Sequence, residues 1–305
     1  MKKVLFVLFS LLLTSSVFGQ FDEAVDQLRT QNTDTIMGWK FGGKFNLDFS
    51  QAGFSNWASG GDNSMTGIVN FSMYLNYIQE QSHWTNLLEV GYGGQMLKKE
   101  YSKTDDKLRL TSKYGYKAKG SWYYSGLLDF KTQMAPGYNS DDSSVKISNF
   151  MSPAYLFLSA GMDFVPNKNM SIFMSPITYK AIFVLDDELS AIGSFGLDPG
   201  QKVRSEMGAY VKFFYQHELF KNVNFLTYLD LFSNYLDKPQ NIDVDWRVEI
   251  DLKVNKFLHA SIRTHLIYDD DIMFAYDSTG DGTLDAEGPR VQFKEIIAVG
   301  LVFEF

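Results

Sequence analysis

Between Asn241 and Lys253 the chain alternates without a break. Ile242, Val244, Trp246, Val248, Ile250 and Leu252 occupy one parity, and Asp243, Asp245, Arg247, Glu249, Asp251 and Lys253 occupy the other. A helix, turning about 100° per residue, would scatter the two sets around its circumference, whereas an extended strand puts each on its own face. Met65 to Gln79 repeats the pattern, with Met65, Val69, Phe71, Met73, Leu75 and Tyr77 opposite Thr66, Asn70, Ser72 and Asn76. The same reading along the chain predicts strands over 39–50, 65–79, 83–99, 107–117, 121–132, 153–164, 170–183, 205–219, 222–236, 240–254, 258–271 and 291–305. The seventh is the weakest, because Pro176 interrupts it and blurs its alternation.

The connections divide into two kinds. Glu80-Gln81-Ser82, Ala118-Lys119-Gly120, Pro166-Asn167-Lys168-Asn169, Lys221-Asn222 and Asn255-Lys256 are short and polar. The intervening segments 51–64, 100–106, 133–152, 184–204 and 272–290 are longer, with 237–239 the exception. Outer-membrane barrels combine short periplasmic turns with longer external loops, and an even strand count leaves both chain ends on the periplasmic side. A soluble sandwich alternates too, but its strands are usually about 5–6 residues long and its loops have no reason to sort by length. The expected fold is all-β: a closed antiparallel transmembrane barrel of twelve strands over 39–305, with both termini periplasmic. Trp39, Trp84, Trp122, Tyr116, Tyr124, Tyr215 and Tyr235 lie near strand ends, where amphipathic rings suit a membrane interface.

The two ends of the chain agree with export to an outer membrane. Lys2 and Lys3 precede the apolar run Val4 to Leu13, and Val17-Phe18-Gly19 offers a cleavage site, so residues 1–19 read as a cleaved signal peptide of a Gram-negative bacterium. Residues 20–38 are too few for a domain and form a short periplasmic segment, with a brief helix expected from Asp22 to Arg29. At the other end Ile297, Val299, Leu301, Phe303 and Phe305 share one face. This resembles the terminal strand that barrel assembly machinery reads. Lipid and that machinery are therefore expected partners. The absence of cysteine excludes disulfides, thiolate metal sites, a cysteine nucleophile and a lipoprotein anchor. A net charge of −8 argues against nucleic acid as a partner.

If the apolar parity faces lipid, the other faces the lumen. Its expected cations are Lys40, Lys44, Arg109, Lys113, Lys117, Lys131, Lys212, Arg247, Lys253 and Arg263. Its acids are Asp48, Glu89, Asp129, Asp163, Glu206, Glu218, Asp230, Asp243, Asp245, Glu249 and Asp251. Near balance admits two functions. The leading one is a channel or transport-type protein passing small polar solutes through the charged lumen. The alternative is a lumen filled by paired charges, serving as a structural or partner-binding subunit that presents loops to an outer-membrane or periplasmic protein. A barrel hydrolase is the third reading. Its candidate bases are His83, His217, His259 and His265, but His259 and His265, six strand residues apart, stand roughly 20 Å from one another. No catalytic set assembles.

Asp277-Ser278-Thr279-Gly280-Asp281-Gly282-Thr283-Leu284-Asp285-Ala286-Glu287 places oxygen ligands at alternate positions with glycine sixth, as in the first half of a calcium loop. Asp277, Thr279, Asp281 and Asp285 would be the side-chain ligands of a structural calcium in 277–287. Gly288 stands where the bidentate glutamate belongs, and a solvated acidic loop is the competing account.

Trp39 to Ser64 carries Gly42-Gly43, Phe49-Ser50-Gln51, Phe54-Ser55-Asn56-Trp57-Ala58-Ser59-Gly60-Gly61 and Asn63-Ser64. Together with Tyr268-Asp269-Asp270-Asp271-Ile272 and Gly288-Pro289-Arg290-Val291-Gln292-Phe293-Lys294-Glu295, this resembles a Bacteroidota family of outer-membrane barrels classed as a domain of unknown function. The resemblance implies the barrel and no substrate. Asn56, Trp57, Gly60 and Gly61 suggest a tight loop folded against the barrel mouth, with plain turn chemistry as the other explanation.

Overall fold

A strand exposes backbone donors and acceptors along both edges, and in hydrocarbon only a sheet closed on itself satisfies them all. The computed structural model, which describes residues 37–52, 64–97, 100–139, 143–276, 278–279 and 285–305, shows that closure. Its wall comprises β1 (Gly38–Ala52), β2 (Ser64–Ile78), β3 (Ser82–Leu97), β4 (Glu100–Lys119), β5 (Trp122–Thr132) and β6 (Ala154–Asn167). It continues with β7 (Met170–Phe183), β8 (Val203–Phe220), β9 (Val223–Asn234), β10 (Asp243–Lys253), β11 (Leu258–Tyr268) and β12 (Gln292–Glu304). Each strand pairs antiparallel with the next in sequence, and β12 returns to β1. The expected twelve-stranded antiparallel barrel is the observed one.

The seam is tight. Asp48 pairs with Gly300, and Gly43 and Phe305 exchange two backbone bonds of 2.8 and 2.9 Å. A Cβ on Gly300 would lie 2.3 Å from the Leu47 carbonyl oxygen, so glycine there is a condition of closure.

Two expectations need correction. Residues 100–106, read as a loop, extend β4 and pair with β3 up to Leu97. Pro176 does not break β7 but sits in a bulge, where the pairing with β6 shifts between Ala160 and Met162. Gly161 makes room for it, since a Cβ there would meet the Met174 carbonyl oxygen at 2.1 Å. The extra residue inverts the parity: Ser171, Phe173 and Ser175 are buried before the bulge, and Thr178, Lys180 and Ile182 after it.

Outside, the wall is apolar. Phe41, Trp246, Phe293, Ile297, Val299 and Phe303 are all exposed, as the alternation predicts. Trp39 packs on Tyr77 and Trp84 at 4.9 and 6.0 Å beside the short-turn end, and Trp122 on Phe164 at 4.9 Å. With Tyr116 and Tyr124 these rings form an aromatic band near that end. Tyr235 lies at the opposite end, its hydroxyl donating to the Pro176 carbonyl.

At the long-loop end, residues 184–202 carry helix α1 (Asp187–Ala191), whose N-cap Asp186 accepts from the backbone N–H groups of Glu188 and Leu189. Leu189 and Leu197 pack on Ile182 and Val184, with Tyr155 and Phe195 beside them. Arg204 donates to the Gly196 carbonyl at 2.7 Å and pairs with Asp271, tying this loop to the end of β11. A short hairpin, Gly137–Tyr138 with Lys146–Ser148, leans on the same loop: Lys146 Nζ and Asn149 Nδ2 each donate to Asp186 at 2.7 Å. Those two donors hold the Asp186 carboxyl down to about 2, and the Asp186 and Glu188 carboxylates in turn push Lys146 up.

Candidate functional site

Inside the barrel the sequence-predicted charges are brought together as ion pairs, many reaching across the lumen. At the waist Arg109 on β4 donates to Asp129 on β5 at 2.8 Å through Nε, and its Nη2 lies 3.3 Å from Asp230 on β9. Strands β4 and β9 are five apart in a ring of twelve, nearly opposite. Two other pairs have the same span. Lys131 on β5 meets Asp245 on β10 at 2.7 Å, and Arg247 on β10 lies 3.9 Å from Glu89 on β3. Lys212 bridges Asp230 at 2.8 Å and Asp129 at 3.3 Å, and the Tyr210 hydroxyl donates to Asp230 at 2.7 Å.

Toward the short-turn end, Lys44 meets Asp251 at 2.7 Å, and Arg263 pairs with Asp48. Lys113 meets Asp163 at 2.7 Å, and Ser171 also donates to Asp163. Lys40, Glu249 and Lys253 lie on the inward parity, and each interacts with neighbours. Lys117 stands exposed near the end of β4, opposite Tyr123 of β5.

Toward the loop end, Lys180 lies 2.8 Å from Asp243, 3.1 Å from Glu206 and 3.7 Å from Asp269. Arg204 meets Glu206 at 2.7 Å. Sequence reasoning missed Lys180 because the bulge at Pro176 had inverted its parity. It also missed Lys107 and Lys294, which pair with Glu89 at 3.0 Å and with Asp105 at 2.6 Å. Lys107 shares the parity of Arg109, so alternation alone could have found it.

An aromatic cluster completes the filling. Leu127, Phe173, Tyr210 and Phe232 are buried together, with Phe157 against them. Phe157 lies 5.4 Å from Tyr210 and 6.1 Å from Phe232, ring to ring, although β6 and β9 are three strands apart. Two cavities flank this waist and share no lining residue. One of about 490 Å³ lies at the short-turn end, bordered by Lys44, Glu249, Asp251, Lys253 and His259. The other, about 90 Å³, lies toward the loop end, floored by Arg109, Asp129 and Asp230.

The histidines are dispersed. His259 is held between Asp251 at 2.9 Å and Asp48 at 3.0 Å, while His265 contacts Asp245 at 2.9 Å, so they answer to different acids. His83 is buried edge-on against Tyr123 at 4.6 Å, and its Nε2 has no hydrogen-bond partner among the described residues. His217 is exposed on the rim of the larger cavity. Among the described residues none of the four shows a hydrogen bond to a serine hydroxyl, the contact a serine–histidine hydrolase requires.

Asn56, Trp57, Gly60, Gly61, Asp277 and Asp281 lie outside the described residues. Of the remaining calcium-loop positions, Asp285 accepts from the backbone N–H and hydroxyl of Ser278 at 2.7 and 3.0 Å. Among the described residues no three acidic or histidine side chains are grouped as metal ligands.

Fold and site together define a closed twelve-stranded barrel with an apolar exterior and an ion-paired interior. Within the chain, residues 49–138 match the family described as protein of unknown function (DUF3078), in line with the expected domain of unknown function over that segment. No curated protein matches the chain. Among solved structures it is similar to the translocator domain of autotransporter NalP from Neisseria meningitidis, at 11% identity, 94% coverage of both chains and a TM-score of 0.37. It is also similar to an outer membrane channel (COG4313) from Pseudomonas putida F1, at 12% identity over 89% of this chain and 97% of that one, with a TM-score of 0.41. Outer membrane phospholipase A from Escherichia coli is a third, at 11% identity over 94% and 98%, with a TM-score of 0.31.

Proposed function

We propose that this protein is an outer-membrane barrel closed to free diffusion, acting through what it binds at its ends rather than through what flows between them. The observation that carries this reading is the waist. Three cation–carboxylate pairs join nearly opposite strands, and the Phe157, Phe173, Tyr210 and Phe232 rings occupy the space beside them. An open pore would leave such charges lining a water column, whereas here they meet partners from across the barrel. The apolar exterior and aromatic band support a membrane location. Export by cleavage after residue 19, periplasmic termini and delivery to barrel assembly machinery through the strand ending at Phe305 belong to the same proposal.

Liposome swelling tests it. Vesicles holding the folded protein should resist entry of small sugars and amino acids as well as protein-free vesicles do. Rapid swelling would overturn the closed reading. The second reading, a gated channel for small polar solutes, is favoured by one observation: cavities lie on both sides of the waist. It predicts that the wild-type barrel itself admits these solutes once high salt screens the waist pairs, where the closed reading predicts continued resistance.

A further inference from the structure

The short-turn end of the barrel carries a charge pattern that the paired lumen does not account for. Short turns follow β4, β6, β8 and β10, and each brings a lysine: Lys119 at the end of β4, then Lys168, Lys221 and Lys256. All four are exposed, and among the described residues none has a carboxylate partner. At the loop end, by contrast, Lys146, Lys202 and Lys238 each face an aspartate. The remaining short turn, after β2, carries Glu80. A chain of net charge −8 thus gathers four uncompensated ammonium groups on one rim. Successive hairpins are two strands apart, so these groups follow the rim from β4 to β11 at intervals of roughly 10 Å.

Apolar surface accompanies them. Lys119 is paired across the sheet with Trp122, whose ring packs on Phe164 in the aromatic band. Lys221 follows Phe220, which is 74% exposed, and the Lys256 Nζ lies 4.9 Å from the centre of the Phe257 ring. Lysines at the edge of an aromatic band can lay their stems along apolar surface while the charged heads reach a headgroup layer.

We propose that this rim is a binding surface for anionic phospholipid, the lipid phosphates meeting the four ammonium groups and the acyl chains covering the aromatic band beside them. The inference rests on the membrane location proposed above. A soluble acidic partner would use the charges but gain nothing from rings on the outer wall, whereas a lipid uses both. A lysine held close to an anionic lipid surface favours it by about fivefold, and the attraction fades within a Debye length. Lipid preference should therefore depend on the turn lysines and disappear in high salt.

The test places the folded full-length protein in phosphatidylcholine vesicles holding a trace of spin-labelled phosphatidylglycerol or, separately, spin-labelled phosphatidylcholine. Electron spin resonance reads the fraction of each label immobilised against the barrel. At low salt the phosphatidylglycerol label should be favoured at least twofold over the whole boundary, and at about 1 M salt the two should be selected equally. Joint replacement of Lys119, Lys168, Lys221 and Lys256 by glutamine should abolish the preference, and Lys119→Gln with Lys221→Gln should reduce it. Lys202→Gln with Lys238→Gln, at the loop end, should leave it at the wild-type value. Heat-modifiable gel migration establishes that each variant is folded, and the salt series on the wild type needs no variant at all. Equal selection of the two lipids by the inserted wild type at low salt would overturn the proposal alone, as would a preference that survives in the folded quadruple variant. Displacement of the phosphatidylglycerol label by soluble polyglutamate would make the occupant an acidic chain and overturn the lipid assignment. Failure to insert into the vesicles would strike the membrane location and this proposal with it.

Discussion

Replacing Arg109 by alanine tests the waist most severely. The guanidinium sits between Asp129 and Asp230, at 2.8 and 3.3 Å, and its side chain and that of Asp129 are 6% and 2% exposed. Removing it leaves two buried carboxylates facing each other with Lys212 as their shared cation, at 3.3 and 2.8 Å. Breaking a buried pair costs about 3–5 kcal/mol when the surviving charge has no other partner. Because Lys212 remains, we expect about 2–3 kcal/mol. Replacing Arg109 with methionine and Asp129 with leucine together removes both charges and keeps the volume, and should recover at least half of that loss. Urea unfolding in lipid vesicles, followed by heat-modifiable migration, gives both numbers. A loss below about 0.5 kcal/mol for Arg109→Ala, or a double variant as unstable as the sum of its single replacements, would show that these charges are hydrated rather than paired, and the reasoning would fail.

Other outcomes follow from the same structure. Phe173→Ala removes a ring that is 0% exposed and should cost about 3–5 kcal/mol in the same titration, with brief conductance events as the gap opens and closes. Gly300→Val puts side-chain atoms against the Leu47 carbonyl and the Asp48 backbone, and should block the β1–β12 seam, leaving protein that migrates as unfolded without heating. The Asp186 carboxyl is held down to about 2, against 3.8 ordinarily, by Lys146 and Asn149. A depressed folded value means its stabilisation is complete above about 3.8 and disappears as pH falls through about 2. Pepsin cleavage within 184–202 should therefore quicken below about pH 3 in the wild type, while Asp186→Asn is cut at the faster rate throughout that range.

Most of the wall was legible because alternation is a local property: the strict parity of 242–253 needs no tertiary context. The seventh strand shows where that legibility ends. A bulge is a relation between strands, here Ser175-Pro176 on β7 set against the single residue Gly161 on β6, and one inserted residue hides Lys180 from any count by parity. Residues 100–106 read as loop because Tyr101, Ser102 and Thr104 carry little apolar signal. They are strand because β3 supplies backbone partners as far as Leu97. The ledger of lumenal charges was nearly balanced in the sequence, but balance cannot distinguish a water-filled passage from a paired interior. That distinction lies in which strands face one another across the barrel, as Arg109 and Asp230 do, and strand spacing along the chain does not encode it.

Single-channel recording in planar bilayers tests the central claim most directly. With insertion and folding shown by heat-modifiable migration, the wild-type barrel is expected to be electrically silent over long recordings, and Arg109→Ala combined with Phe173→Ala to produce unitary steps. Reproducible steps from the wild type would contradict the account, because a continuous ion path cannot coexist with a waist closed by paired charges and packed rings.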